Sequence, residues 1–464
     1  MSASVVSVDV AERINNPKHL EKRAIKGTTY VVLAYGLATG LRLVSSMVLS
    51  RLFMPSYFGL MALTTTIIAG LYCLSHFGLE DGVIQHARGE EKSFLLTAWT
   101  MQVARGALLF LIAIPLAFPV ARIYHEHLLL TLLPTLGLSC LISSFASPSL
   151  LVMARHLDVG RITFLELLTS LVQFIVTAVW ALIHPDIWAL AGGKLAGEIA
   201  RTVVSYYVAP CEHPRFVFEP EALRYLLSFG RWILISTALT FFAYQADRLL
   251  LGKLVSWQAL GIYGIAYALS DIPRQILTQF SSRVGYPFIA RFSGLSRIEF
   301  RSMLIKYRSY VLGIGALLLT LVVTTGDIFI RFMYDERYHQ ASWMVVILAC
   351  GLWHTLMAAT MSPILFLIQK VHFYTLAMTF YCLTLLICLP VGFHFLGMLG
   401  AVIAVAISDL PVYIVSGIAL ARENISLVRQ DIQMTLWFLS LLGVALLLRH
   451  SIGLPSLLLG IPFS

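Results

Sequence analysis

The chain has 464 residues, of which 58% are hydrophobic and 12% charged, with a mean hydropathy of +0.83. One soluble core of this length cannot bury so much apolar surface, so the composition specifies a polytopic membrane protein. A formal charge of +9 with no soluble segment to present a basic face also argues against a nucleic-acid partner.

Residues 1–27 are polar, carry Arg13, Lys18, Lys22, Arg23 and Lys26, and lack the apolar core and cleavage site of a signal peptide. They read as a cytoplasmic tail. Apolar stretches follow at 28–50, 57–79, 93–118, 128–152, 162–183, 187–209, 226–251, 260–287, 309–330, 342–368, 372–393, 396–421 and 434–448. Most are roughly 18 to 25 residues long, which suits helices crossing a hydrocarbon core about 30 Å thick, and they lack the alternation of barrel strands. The last stretch and a shorter one at 452–463 are brief for two full spans, which leaves one or two short helices or a shallow hairpin open there.

The expected fold is an all-α polytopic membrane protein with 12–14 transmembrane helices in two pseudo-symmetric bundles around a central cavity. The first bundle would cover 28–209 and the second 226–421, joined by a cytoplasmic linker at 210–225, with 422–464 as a C-terminal segment. With the N-terminus inside, 19 Lys and Arg fall on the cytoplasmic side and six on the other, as the positive-inside rule requires. Segment 288–308 interleaves Arg291, Arg297, Arg301, Lys306 and Arg308 with Phe292, Leu295, Phe300, Leu304 and Ile305, the pattern of an interfacial amphipathic helix or ordinary positive-inside charge.

A weak internal repeat supports the duplication. Leu49-Ser50-Arg51-Leu52-Phe53 is followed by Tyr57-Phe58-Gly59-Leu60, and Ala246-Asp247-Arg248-Leu249-Leu250 by Ala259-Leu260-Gly261-Ile262-Tyr263. Both read as a helix end, a short outside turn and the next helix, so the halves would be related by an axis along the membrane normal.

Eight cations lie within the apolar stretches: Arg42, Arg105, Lys194, Arg201, Arg231, Arg248, Arg274 and Arg283. Each costs about 2.5 to 3.5 kcal/mol at a helix centre unless it meets a polar interior, a partner or the interface. Arg231, Arg248 and Arg283 lie near helix ends and are expected to snorkel. Arg42 and Arg105 are too deep for that, so they line a hydrated cavity or pair structurally.

Lys194, Glu198 and Arg201 share one helix face, either as a self-neutralising ladder or with donors left for substrate. Asp271-Ile272-Pro273-Arg274 marks a kinked, charged helix, and Asp409 before Pro411 is the best lone carboxylate for coupling to a cation or proton. The substrate-binding candidates are thus Arg42, Arg105, Lys194 and Arg274; the ion-coupling or charge-partner candidates are Glu198, Asp271 and Asp409. His76, His354 and Glu166 read as hydrogen-bonding or interfacial residues. The six cysteines have neither CxxC nor metal-ligand spacing, and no metal, cofactor or nucleotide motif stands out.

The chain resembles bacterial polysaccharide-export flippases of the multidrug/oligosaccharidyl-lipid/polysaccharide exporter superfamily. The resemblance rests on Lys26-Gly27-Thr28, Leu49 to Leu60, Phe77-Gly78-Leu79-Glu80-Asp81, Asp247 to Gly252 and Leu260-Gly261-Ile262-Tyr263, in that order, and runs from about residue 24 to 430. It implies movement of an undecaprenyl-pyrophosphate-linked anionic glycan across the bacterial inner membrane by alternating access. Membrane lipids and other polysaccharide assembly proteins would be partners, and H+ or Na+ the coupling ion. A drug/cation antiporter of the same superfamily should prefer carboxylates to cations in its cavity. A polysaccharide polymerase or ligase should need a larger outside loop for catalysis.

Overall fold

The computed structural model describes residues 36–75, 78–156, 159–209, 214–281 and 296–454, together with 285 and 289. The N-terminal tail, His76, the region around Arg283 and the end of the expected C-terminal hairpin lie outside the described residues, as does the side chain of Arg231. The described residues form helices and turns, without strands.

In chain order the helices are α1 (36–52), α2 (Pro55–Leu74), α3 (Leu79–Gln85), α4 (Lys92–Tyr124), α5 (Leu129–Ser144), α6 (Ser149–Arg155), α7 (Val159–Ile183) and α8 (Ile187–Val208). They continue as α9 (Pro220–Leu254), α10 (Trp257–Ser270), α11 (Ile272–Phe280), α12 (Arg297–Met333), α13 (Ala341–Leu367), α14 (Val371–Ile407), α15 (Leu410–Arg422) and α16 (Val428–Ser451). Among the described residues, 7 helical segments are long and apolar enough to cross a membrane by length and composition. The remainder are shorter, broken or more highly charged.

Local chemistry sets several starts. Pro55 and Pro220 open α2 and α9, where a missing backbone N–H is tolerated. Asp186 and Ser256 cap α8 and α10, and Ser296 with Glu299 forms a capping box on α12. At Leu396 and Gly397 the chain within α14 doubles back, Gly397 taking φ +56°, and the returning Gly400 meets the carbonyl of Gly392.

Three of the expected spans are broken, one of them at the kink expected from Pro273. The 128–152 stretch stops at Ser144 and restarts at Ser149 after Pro148, 260–287 breaks at Asp271 before Pro273, and 396–421 breaks at Ser408 and Asp409 before Pro411. Pro273 and Pro411 sit just inside the next helix and Pro148 just before it, where the ring interrupts the preceding hydrogen bonds.

Two further expectations are corrected. Residues 297–308 begin the 37-residue α12 rather than forming a separate interfacial helix, with Phe300 and Leu304 in a buried cluster. Residues 434–448 belong to α16, whose 24 residues give one full-length span rather than a shallow arm.

Buried ion pairs hold α16 against α12 near both ends. Arg308 donates to Asp431 at 2.8 Å, with both side chains almost wholly shielded, and Arg449 pairs with Asp327 at 2.5 Å. Gln430 and Thr360 accept the other nitrogens of Arg308, at 3.1 and 2.9 Å.

The two parts of the internal repeat meet each other. α2 packs on α9 and α10, and Gly59 and Gly261 cross so closely that a Cβ on Gly59 would overlap the Trp257 carbonyl oxygen, and one on Gly261 that of Pro55.

Around this crossing Phe58 packs edge to face on Phe53 and Tyr338, and Tyr334 lies tilted against Tyr338. The Tyr338 hydroxyl donates to the Phe53 carbonyl at 3.1 Å. This aromatic seam ties the α1–α2 turn to the end of α12 and the turn that follows it.

The linker residues 214–219 lie on the start of α4. The amides of Val217 and Glu219 donate to Thr100 and Thr97, each at 3.1 Å, and Phe216 stacks on Trp99. Arg88 bonds Glu219 at 2.7 Å and Glu91 at 2.6 Å. Ser93 and then Arg88 hold the Glu219 carboxyl below its ordinary pKa by stabilising the charged form.

Candidate functional site

Three cavities divide the charged residues. The largest, about 420 Å³, lies between α1, α2, α9 and α10. Arg42 and Arg248 line it together with Ser46, Thr65 and Gln275, while Phe58 and Tyr334 of the seam belong to the same wall.

The Ser46 and Tyr334 hydroxyls share a hydrogen bond of 2.5 Å, so the seam and the cavity form one polar and aromatic surface. Arg248 donates to Gln245 at 3.2 Å and lies 5.5 Å from the Tyr267 ring centre, while its buried Nε has no hydrogen-bond acceptor. Among the described residues neither Arg42 nor Arg248 joins a carboxylate. Arg248 was expected to snorkel; the packing of α9 across α2 turns it into the cavity instead.

The second cavity, about 380 Å³, is lined by Tyr244, Arg274, Thr278, Thr355, Tyr374 and Asp409. It adjoins a space of about 30 Å³, the size of one water, walled by Asp271, Arg274, Tyr267, Tyr381 and Asp409. The break before Pro273 puts Asp271 and Arg274 one turn apart, and they form a fork with N···O distances of 2.5 and 2.9 Å. Gln275 also donates to Asp271 at 2.9 Å, and Thr355 to Asp409 at 2.8 Å. The structure therefore brings together three of the candidates, Asp271, Arg274 and Asp409, from distant sequence positions.

The third cavity, about 180 Å³, opens among α4, the broken α5–α6 helix, α7 and α8, with half-buried Arg105 in its lining and the exposed Arg201 at its rim. Arg105 lies 4.4 Å from the Tyr72 ring centre. Lys194, Glu198 and Arg105 are all near enough to the Cys140 thiol to act on it electrostatically. Lys194, Glu198 and Arg201 share a helix face, yet among the described residues no ion pair joins them, so the expected ladder is not formed.

The four cations grouped by sequence as substrate contacts are thus distributed. Arg42 lines the first cavity, Arg105 the third and Arg274 the second, and Lys194 lies beside the third without lining it. His354 has a buried Nε2 without a partner and lines none of these cavities, and Glu166 is exposed.

The likeness to known proteins agrees with the helical architecture. The Escherichia coli K12 lipopolysaccharide biosynthesis protein WzxC is 24% identical over 324 residues, spanning 69% of this chain and 65% of its own length. The chain therefore covers just under two thirds of that relative. Two solved structures share the fold. One is lipid II flippase MurJ in an inward closed conformation, with TM-score 0.72, 14% identity and coverage of 90% of this chain and 92% of MurJ. The other is an inward-facing multidrug resistance MATE transporter of the MOP superfamily, with TM-score 0.68, 13% identity and coverage of 84% and 94%. A family model described as polysaccharide biosynthesis protein matches residues 48–343, more than half of the sequence, and the chain belongs to that family.

Proposed function

We propose that the protein is a flippase for a pyrophosphate-lipid-linked oligosaccharide of surface polysaccharide synthesis. The observation that carries this reading is the pair of arginines, Arg42 and Arg248, that form no ion pair among the described residues and line one cavity beside the repeated helices. A pyrophosphate offers several anionic oxygens, and guanidinium groups bind such oxygens in parallel pairs. The glycan head enters the cavity while the lipid tail stays in the bilayer. With the N-terminus cytoplasmic, the aromatic seam is the outer gate, and rocking of the halves opens it while closing the inner side.

Asp271, Arg274 and Asp409 are the coupling group in this reading. Binding of H+ or Na+ at Asp409 changes the charge opposite Arg274 and biases one arrangement of the helices. A drug/cation antiporter fits less well, because the central cavity presents cations. A polymerase or ligase would need acid-base groups placed around an acceptor.

The test uses cells lacking the chromosomal copy. Arg42→Ala and Arg248→Ala should each reduce surface glycan at least tenfold, a loss of about 1.4 kcal/mol or more in transition-state stabilisation. Undecaprenyl-linked repeat units should accumulate on the cytoplasmic side, with the protein still in the membrane. Normal export by both variants overturns the site, and altered glycan chain length without accumulation favours a polymerase.

A further inference from the structure

The third cavity has features that the central site does not explain. It is built around a broken membrane helix whose freed carbonyls are bonded one by one. Thr202 donates to Ile142 at 3.0 Å, Gln102 to Ser144 at 3.0 Å, Tyr206 to Phe145 at 2.8 Å and Trp99 to Ala146 at 3.0 Å. The amide of Ser147 in turn donates to the Ser205 hydroxyl at 2.8 Å. Irregular backbone at membrane depth persists where protein satisfies it or where it lines a polar cavity, and here both conditions hold.

Gly106 makes the construction tight, since a Cβ there would collide with Ser144. The close approach of α4 and α5 places Gln102 and Arg105 against the break. Arg105 keeps a buried Nε without a hydrogen-bond acceptor, and Arg201 enters from α8. Glu80, exposed at the rim, forms no ion pair with either guanidinium among the described residues. Leu150, Leu151, Ile162 and Leu165 make the opposite wall apolar.

A pocket with two guanidinium groups, hydroxyl and amide oxygens on one side and aliphatic side chains on the other matches an acidic pyranose. Such a sugar has a carboxylate, a hydroxylated rim and an apolar C–H face. A volume of about 180 Å³, equivalent to about six waters, suits one sugar residue rather than an oligosaccharide.

We propose that this pocket is an anchor, separate from the pyrophosphate site, for one carboxylate-bearing sugar of the transported head group. The proposal rests on the flippase reading for its ligand. It assigns Arg105 and Arg201 to the carboxylate and the Ser143 to Ser147 break to the hydroxyl groups. The glycan would then be held at two points, its pyrophosphate in the central cavity and an acidic sugar within the first half.

Cys140 lies in the pocket wall and provides an internal reporter. The test takes the full chain with Cys73, Cys211, Cys350, Cys382 and Cys388 replaced, and follows N-ethylmaleimide labelling of Cys140 in detergent. Ser143→Cys on Cys140→Ala supplies a less buried reporter of the same wall. Sodium glucuronate should slow labelling several-fold, glucose should not, and Arg105→Gln with Arg201→Gln should remove the protection.

Equal labelling with and without glucuronate at both reporters overturns the proposal. Equal protection by glucose or inorganic phosphate, or protection conferred by phosphatidylglycerol alone, also overturns the assignment to an acidic sugar. Glucuronate protection without accumulation of lipid-linked repeats in the export assay separates failure of the flippase reading from failure of this pocket.

Discussion

Helix-borne charges in α12 and α16 are used differently from those in α1, α4 and α8. Within α12 and α16, Arg308 and Arg449 are fastened to Asp431 and Asp327. Within α1, α4 and α8, Arg42, Arg105, Lys194, Glu198 and Arg201 form no ion pair among the described residues. A paired charge inside a helix bundle fixes packing, whereas an unpaired one persists beside water or ligand. The contrast gives the first group a structural task and, in the flippase reading proposed above, leaves Arg42, Arg105 and Arg201 of the second available to a ligand.

The largest expected effect comes from breaking the structural group. Asp431→Ala leaves the Arg308 guanidinium enclosed without its carboxylate and should lower stability by about 3 to 5 kcal/mol, read by thermal unfolding in detergent. Replacing Arg308 and Asp431 together by Met and Leu should restore most of the loss. Lys194→Ala, by contrast, should move stability by less than about 1 kcal/mol, because no ion pair is lost. A comparable loss in both experiments would erase the distinction.

A mid-sized effect should follow from wedging the seam. Gly59→Ala puts a Cβ against backbone, which forces α2 away from α10 at a cost of about 1 to 3 kcal/mol. A cysteine at Tyr334 should then label faster from outside the cell; an unchanged rate would mean that the crossing does not hold the gate.

The smallest effect concerns the exposed charges of the linker. Glu219 has a lowered pKa, so its contribution is complete above the ordinary carboxylate range and fades as pH falls through its lowered value. Hydrogen exchange at Val217 and Glu219 should therefore remain constant between pH 8 and 6 and accelerate only in acid. Acceleration near pH 7 would point to a different titrating group.

The positions of most helices were legible because a membrane span is a local property of about 20 apolar residues. The breaks were less so. Pro273 signalled its kink beside Asp271 and Arg274, but the significance of Pro148 depends on Trp99, Gln102, Thr202 and Tyr206 reaching the carbonyls it frees. Arg248 seemed an interfacial residue because depth along one helix says nothing of what packs across it. Arg308 reads from sequence as a charge of the 288–308 segment for the same reason, since its partner Asp431 lies 123 residues away.

Composition and hydropathy alone determined that this is a helical membrane protein with an excess of cations, because insertion energy is additive along a segment. Only tertiary structure decided which cations are free. Pairing requires two side chains within about 4 Å, and that distance is set by how α12 meets α16, α2 meets α10, and α4 meets the broken α5–α6 helix. The single cationic cavity expected from sequence is therefore resolved into a central site with Arg42 and Arg248, a coupled Asp271–Arg274–Asp409 group, and a separate pocket around Arg105 and Arg201.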